Sequence, residues 1–509
     1  MQASTNEVCS SFQERSPYGA KIRKQAEREP WWHGILRKAK PTAYVWEEQH
    51  TVFRLFLLSL QVDGKAVLKA VSTRPQSRRP ANDKPYTDNN MMKIAIIGAG
   101  AAGCFAAIEM KRRCPKADIT IYEAGRKPLA KVAVTGGGRC NLTNTFAGVR
   151  SMGAAYPRGE RLMKRLLKEF SQEDAWRWFE SEGVRLVAQD DGCVFPASQD
   201  AMEIVNTLLQ LLRSHDVRVL TGHRAALIER ADGGADGHLR ISFADKSLHP
   251  QEADAVLLAN GGSPKAQGLA MLAPLDVETA SPVPSLFSLC LPGDSVTELT
   301  GTVVKHAAAS LSGTKMRAEG PLLITHWGMS GPAILKLSAY AARQLHDCGY
   351  RARLAINWLG DRNAQDVAEM VGALAARNPK KQLASAYPEQ LNARLWQHLL
   401  AKCGLKADSR WGELGRKGIN KLVATLVDDQ YSVNGKCRFK EEFVTCGGVA
   451  LAAVNPSTLE SRACPGLYFA GETLDVDGIT GGFNLQAAWT TAFVAAKAIA
   501  NRCQAGGKG

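Results

Sequence analysis

The sequence contains no uninterrupted apolar run of the ~20 residues needed to cross a bilayer. Its most apolar stretches, "TVFRLFLLSL" at 51–60 and "FVAAKAIA" at 493–500, are short or broken by charge, so no transmembrane helix is expected. The start, "MQASTNEVCSSFQERSPYG", lacks the basic opening, apolar run and small-residue cleavage site of a secretory signal, which makes the cytoplasm the expected compartment. Twelve cysteines are scattered without a single Cys-x-x-Cys pair, excluding a disulfide-stapled mini-domain and a thioredoxin-type motif; most read as core thiols. No His/Cys cluster has zinc-ligand spacing, so no metal is expected.

What is present is ordinary for a folded chain. At 509 residues with 45% hydrophobic content there is material for two or three cores. The formal charge of +15 admits nucleic acid, acidic membrane or an anionic ligand as partners. Residues 1–90 hold fifteen Lys/Arg against nine Asp/Glu, and the remaining excess is spread, which reads as solvated surface with some of it serving phosphate-bearing ligands. With no aromatic-basic RNA motif, nucleic acid is not the expected partner; a small organic substrate is. Oligomeric state is not legible.

Residues 1–91 show no sustained periodicity and include "KIRKQAEREPWWHGILRKAK"; they read as a basic extension or as codons upstream of the true start, because the folded pattern begins abruptly at Met91-Met92. From there "KIAIIG" is a β-branched strand, "AAGCFAAIEMKRRC" a helix and "ADITIYE" a second strand, a βαβ unit opening an α/β domain over 92–279. Helix starts are expected at Ser171, with Asp174 completing a capping box, and at Ser198. A hairpin turns around Gly233-Gly234, and "ADAVLLANGG" is a buried strand. Residues 280–357 alternate as an inserted β-rich domain in which Ser330 and Pro332 open a helix, 358–430 are a helical insertion, and 431–505 complete the β and α/β domains.

Gly98-Ala-Gly100-Ala-Ala-Gly103 lies between a strand and a helix, with Glu123 twenty residues further on at the end of the next strand. The glycines allow a tight turn, close approach of a pyrophosphate and close helix-strand packing, and the helix start offers N–H donors. Glu123 suits ribose hydroxyls and disfavours a 2′-phosphate, so NAD or FAD fits and NADP does not. A second ligand-facing crossing comes hundreds of residues later: the strand "GLYFAG", then Glu472, Asp475 and Asp477, then Gly481-Gly482 and a helix opening near Asn484.

These motifs resemble the glutathione-reductase-type flavoproteins, with a discontinuous Rossmann-like FAD-binding domain. More closely, "GAGAAG", "GGGRCNLTN", "THWGMSGPA", "VTCGGV" and "PGLYFAGETLDVDGITGGFNLQAA" are similar, in that order, to the bacterial BaiN-like NAD(P)/FAD-dependent oxidoreductases, a group that includes aminoacetone-oxidase-type proteins. The resemblance runs from Lys93 to about Ala500 and implies an extended FAD. Its adenosine end would meet Gly98, Ala99, Gly100, Ala101, Ala102, Gly103, Glu123, Ala124 and Arg126, with Ala225 nearby. Lys131, Thr135, Gly136, Gly137, Gly138, Arg139, Cys140 and Asn141 would follow, with Asn260, Gly261, Gly262 and Thr445. Gly471, Glu472, Asp477, Gly481, Gly482, Phe483, Asn484, Leu485 and Gln486 would complete the site toward the ring.

Physical reading supports parts of this. The glycine run before Arg139 permits a backbone nest, with Arg139 supplying charge for the pyrophosphate. The helix start at Asn484 aims N–H groups where charge collects on a reduced flavin. Asp475 and Asp477 also read as Asx-type turn residues fixing their own loop. Cys140 has Thr145 five residues on, so the paired thiols of disulfide reductases are absent and Cys140 reads as packing. No second G-x-G-x-x-G appears, so NAD(P)H would be a transient co-substrate, or the substrate itself would reduce the flavin. "NGG" at Asn260 replaces the family's usual "TGG". For proton transfer the leading side chain is His326, against the alternative of a backbone-satisfied histidine near the helix start. The expected function is an FAD-dependent oxidoreductase passing hydride between flavin N5 and a small substrate; the alternatives are an FAD-dependent amine oxidase, a flavin-dependent RNA-modifying enzyme, and a non-catalytic flavin-binding protein.

Overall fold

The computed structural model describes residues 91–231, 238–263, 267–436 and 444–506; the basic stretch 1–90 and the Gly233-Gly234 turn lie outside the described residues. The first module is built on a five-stranded parallel sheet in the order Leu467–Phe469, Ala255–Leu258, Lys93–Ile97, Asp118–Glu123 and Arg218–Thr221. Its inner strands read as continuous Ile, Val and Leu because both faces are covered. The helix Ala101–Arg113 packs along the closing helix Phe483–Gly506, whose alanines let the two approach. Phe105 is the pivot of that contact, touching Phe170, Trp178 and Trp489 at ring distances of 5.5, 4.7 and 5.5 Å. The first strand and the last helix of the described chain therefore share one core.

Strand Thr279–Ser285 leaves this module and Val444–Val449 returns to it, and the two pair antiparallel. Everything between them is an insertion hung on one two-stranded connector. It contains an antiparallel sheet of six strands, ordered Leu289–Cys290, Gly328–Ser330, Arg317–Thr325, Val303–Leu311, Arg351–Asn357 and Asp429–Asn434. Helix Pro332–Tyr340 packs on that sheet, and helices Ala364–Arg377, Ala393–Lys402 and Arg416–Val427 fall between its last two strands. A second core around Trp358, Trp396 and Trp411 holds them.

Local signals are confirmed or corrected in physical terms. Ser171 and Asp174 form the expected capping box. Asp200, not Ser198, caps helix Ala201–Ser214, its carboxylate accepting from the Met202 N–H at 2.8 Å; Ser198 instead receives the Asp200 N–H. Pro332 does open its helix, but the cap is Gly331 at φ +88°, and the Ser330 hydroxyl is spent on Ser288 at 2.7 Å. The late helix begins at Phe483. Cys104, Cys140, Cys403, Cys446 and Cys464 are buried thiols as expected; Cys114 and Cys503 are instead joined in a disulfide across 389 residues, a separation at which no local motif could announce the pair. Among the described residues no helix is long and apolar enough to cross a membrane.

A buried ion pair of the first module reaches out to the connector and the insertion. Arg158 grips Asp477 with two nitrogens, and also donates to the Ala339 carbonyl at 2.6 Å. The Ser285 hydroxyl donates to the same carboxylate at 2.9 Å. Asp477 is wholly buried; burial raises its carboxyl above the usual carboxylate range against the pull of Arg158 and Ser285. Removing one partner strands the other charge, so Arg158→Met and Asp477→Leu should each lower the unfolding free energy by about 3–5 kcal/mol, while the double substitution costs less than the sum of the two. Urea denaturation of the four proteins measures this; additive losses would show that the pair is not coupled.

Candidate functional site

The loop between strand Lys93–Ile97 and helix Ala101–Arg113 is shaped by backbone contact. Gly98 has φ +107°, and a Cβ there would lie 2.5 Å from the Ala259 carbonyl oxygen. A Cβ on Gly103 would lie 2.0 Å from the Gly98 oxygen, so Gly103 serves the close helix-strand approach and does not line the site. Gly100 is different: nothing stands within 4 Å of its Cβ position, and its φ of −86° is ordinary. A side chain at Gly100 would fill empty space at the start of a 13-residue helix, the place where a pyrophosphate would sit.

That space is one end of a continuous groove of about 580 Å³. Gly98, Ala99, Gly100, Ala101, Ala102 and Glu123 line it, and Glu123 is held by the N–H groups of Ala99 and Gly125 at 2.8 and 2.6 Å. Lys131, Thr135, Gly136, Gly137 and Asn141 form the next stretch of wall, Asn260 and Gly261 another. Gly471, Glu472, Gly481, Gly482, Asn484 and Leu485 close the far end. The two remote segments therefore converge on one groove. Lys131 bridges them, its ammonium 2.8 Å from Glu472, whose other oxygen accepts the Thr445 N–H at 2.7 Å.

The far end is fixed by another close approach. Gly482 has φ +91°, and a Cβ there would be 2.1 Å from the Thr143 oxygen. The Asn141 amide, oriented to satisfy both neighbours, donates to the Thr143 carbonyl at 3.1 Å and accepts the Gly482 N–H at 3.3 Å. The Asn484 side chain bonds the Gly478 N–H and carbonyl, so it shapes the loop. The 24-residue helix beginning at Phe483 leaves its first N–H groups at this end.

Several expected site residues stand outside the groove wall. Ala124 and Arg126 are on the exposed turn after Glu123, and Ala225 is buried in a separate three-stranded sheet. Gly138 faces open space beyond Gly137; the Arg139 guanidinium lies 4.4 Å from the Phe195 ring centre, stacked there instead of reaching the phosphate space. Cys140 is fully buried, and burial pushes its thiol up to about 12, so it stays protonated and packs. Gly262 and Thr445 stand behind Glu472: a Cβ on Gly262 would lie 2.3 Å from the Thr445 hydroxyl. Asp477 faces Arg158 in an ion pair, correcting both the cofactor and the Asx-turn readings. Phe483 is buried edge-on against Phe146 at 5.0 Å, and Gln486 is buried with its oxygen 2.6 Å from the Thr143 hydroxyl.

His326 is the largest correction. Thr325 pairs with Gly328 across a two-residue hairpin turn, placing His326 exposed at its tip instead of in a loop leading to the helix. Strand Gly328–Ser330, about 10 Å long, separates it from Gly331 and the helix whose Leu335 reaches the groove. Sequence reading also missed Lys127, Leu129, Val132, Val134, Ile479 and Thr480, flanking positions of the motifs, and Leu286, Leu335 and Val444, which line the groove from the insertion and its connector. Apolar spacing alone does not distinguish such wall residues from core.

The family model described as HI0933-like protein Rossmann domain matches residues 92–498. The 3-dehydro-bile acid delta(4,6)-reductase of Clostridium scindens (strain ATCC 35704 / DSM 5676 / VPI 13733 / 19) is 30% identical over 430 residues, covering 81% of this chain and 100% of its own. Ribosomal RNA dihydrouridine synthase of Escherichia coli (strain K12) is 29% identical over 410 residues, covering 79% of this chain and 96% of its own. The protein of the same name from Haemophilus influenzae (strain ATCC 51907 / DSM 11121 / KW20 / Rd) is 26% identical over 416 residues, covering 80% and 98%.

Two substitutions separate shape from chemistry. Gly100→Val should leave the thermal midpoint unchanged and weaken FAD binding by more than about tenfold, about 1.4 kcal/mol, because its side chain enters only the open cradle. His326→Ala should leave FAD affinity and turnover within about twofold, since surface changes remote from a site typically cost little. Flavin titration with steady-state kinetics checks both.

Proposed function

The chain belongs to the HI0933-like Rossmann-domain family and is an FAD-dependent oxidoreductase; on that premise we propose that it reduces an electron-poor carbon–carbon double bond conjugated to a carbonyl group. The observation that carries this reading is the single groove in which the adenosine-side loop and the late helix start meet. The relatives' names add the reaction class. A delta(4,6)-reductase and a dihydrouridine synthase act on unlike molecules, yet each name describes saturation of a double bond, and in both the bond lies within reach of a carbonyl's electron withdrawal.

The residues fit FAD. The cradle at Gly100 and the helix N-terminus would hold the pyrophosphate, and Glu123, anchored by two backbone N–H groups, would accept from ribose hydroxyls. Lys131 and its partner Glu472 would meet the ribityl chain and its phosphate. N–H groups at the start of helix Phe483–Gly506 would stabilise negative charge on the pyrimidine edge of the ring. When bound, FAD supplies hydride at N5. Leu286, Leu335 and Val444 give the outer wall an apolar face that excludes water there. Electrons would come from NADH or NADPH docking transiently, since the sequence has no second dinucleotide motif.

The test is anaerobic. Holoenzyme reduced with dithionite is mixed with 2-cyclohexen-1-one, and the return of oxidised-flavin absorbance is followed with product analysis for cyclohexanone. Reoxidation whose rate rises with enone concentration is expected. A flavin that ignores the enone and is instead reduced by amines and reoxidised by oxygen would establish the oxidase alternative.

A further inference from the structure

Both helices that open on the groove run to the same covalent link. Helix Ala101–Arg113 starts beside the Gly100 cradle and ends at Cys114, its C-cap. Helix Phe483–Gly506 starts at the other end of the groove and carries Cys503 near its close. Cys114 and Cys503 form the disulfide. At 1.5 Å per residue the link stands about 20 Å along the first helix and about 30 Å along the second. That distance gives it a mechanical part, not that of an electron relay to the ring.

The two ends of the late helix are held differently. Near the groove its ties are buried: the Tyr156 hydroxyl donates to the Phe483 carbonyl at 2.9 Å, and the Trp489 indole N–H to the Leu142 carbonyl at 3.0 Å. Beyond the buried Ile499 and Ala500, the polar ties reach solvent. Arg502 lies 3.6 Å from Glu460, and the Gln504 amide donates to the Arg113 carbonyl at 3.2 Å. Exposed polar pairs contribute little, so the covalent bond dominates this end. The bond also closes a ring that holds the insertion and most of the groove wall, and it bars the late helix from swinging off the first. Cys114 is 8% exposed, whereas Cys503 is partly exposed between the exposed Asn501 and Gln504, so a small thiolate can approach from the Cys503 side.

We propose that the Cys114–Cys503 bond is a redox-controlled staple on coenzyme retention. Oxidised, it keeps the two helix starts together around FAD; reduced by a low-molecular-weight thiol, it lets the last turns of the late helix open and FAD leave faster. The thiolate attacks the Cys503 sulfur, giving a mixed disulfide and the Cys114 thiolate, which takes up a proton. A second thiol resolves the mixed disulfide, so two small thiols become one disulfide while the protein gains two cysteine thiols. The proposal rests on FAD lying in the groove and is independent of which double bond is reduced there.

The experiment uses full-length holoenzyme. One portion is oxidised with glutathione disulfide and another reduced with tris(2-carboxyethyl)phosphine; both are desalted, and peptide mapping scores the link between Cys114 and Cys503. On dilution, the rise of free-FAD fluorescence gives the release rate. Reduced wild type is expected to release FAD at least about fivefold faster than oxidised wild type, and reoxidation to restore the slow rate. Cys503→Ser should release at the fast rate under either treatment, which separates this pair from the other cysteines. Equal rates in the two wild-type states overturn the proposal, as does a reductant effect that persists in Cys503→Ser or an oxidised protein whose Cys114 and Cys503 map as free thiols. The wild-type comparison decides even where the variant fails to fold. Loss of enone turnover with redox-dependent release intact would instead sink the reduction reading alone.

Discussion

The ion pair between Arg158 and Asp477 is the constraint from which the rest of the site follows. Asp477 belongs to the loop that carries Glu472 and Gly481 into the groove, Arg158 to the first module, and the groups completing the network, Ser285 and the Ala339 carbonyl, to the connector and the insertion. A wholly buried carboxylate is costly to desolvate, and only the bidentate guanidinium together with a hydroxyl donor makes it tolerable. Because the geometry that satisfies it is narrow, the loop has few alternative positions. Specificity of placement, more than stability, is what such a pair contributes.

Given that placement, the groove is defined by backbones that touch where side chains are absent. Gly103 sits on the Gly98 carbonyl and Gly482 on the Thr143 carbonyl, each at a distance that would not admit a methyl group. These contacts bring two helix starts toward a common ligand, one at each end. Helix N-termini are useful only when the ligand can approach the N–H groups closely, and closeness here is produced by glycine, not by charged side chains. On the proposed reading, the side-chain charges of Glu123, Lys131 and Glu472 would then fix which way an extended dinucleotide lies.

The first module was legible because its signals are local. A β-branched strand, G-x-G-x-x-G and an acidic residue at the end of the next strand specify a ligand end within about thirty residues, and the glycine motif, Gly103 excepted, and Glu123 line the groove. Gly481, Gly482 and Glu472 were legible for the same reason. What failed depends on pairing across space. His326 resembled a loop residue until Thr325 and Gly328 closed a hairpin around it. Asp477 resembled a turn residue because its partner lies 319 positions away, and Arg139 resembled a phosphate ligand because the Phe195 ring beneath it is 56 residues further on.

The division between modules also constrains how substrate choice can be set. Every polar group suited to FAD comes from the parallel-sheet module or the loop that returns to it, so that half of the wall is committed to the coenzyme. The faces left for a reactant are the apolar ones supplied by Leu286, Leu335 and Val444, on the insertion and the connector strand. An apolar wall discriminates shape weakly: one methylene in a hydrophobic pocket is worth about 1–3 kcal/mol. Discrimination among reactants must therefore draw on contacts beyond the groove, and the insertion, with its own core, is the part of the fold free to change without disturbing the coenzyme half.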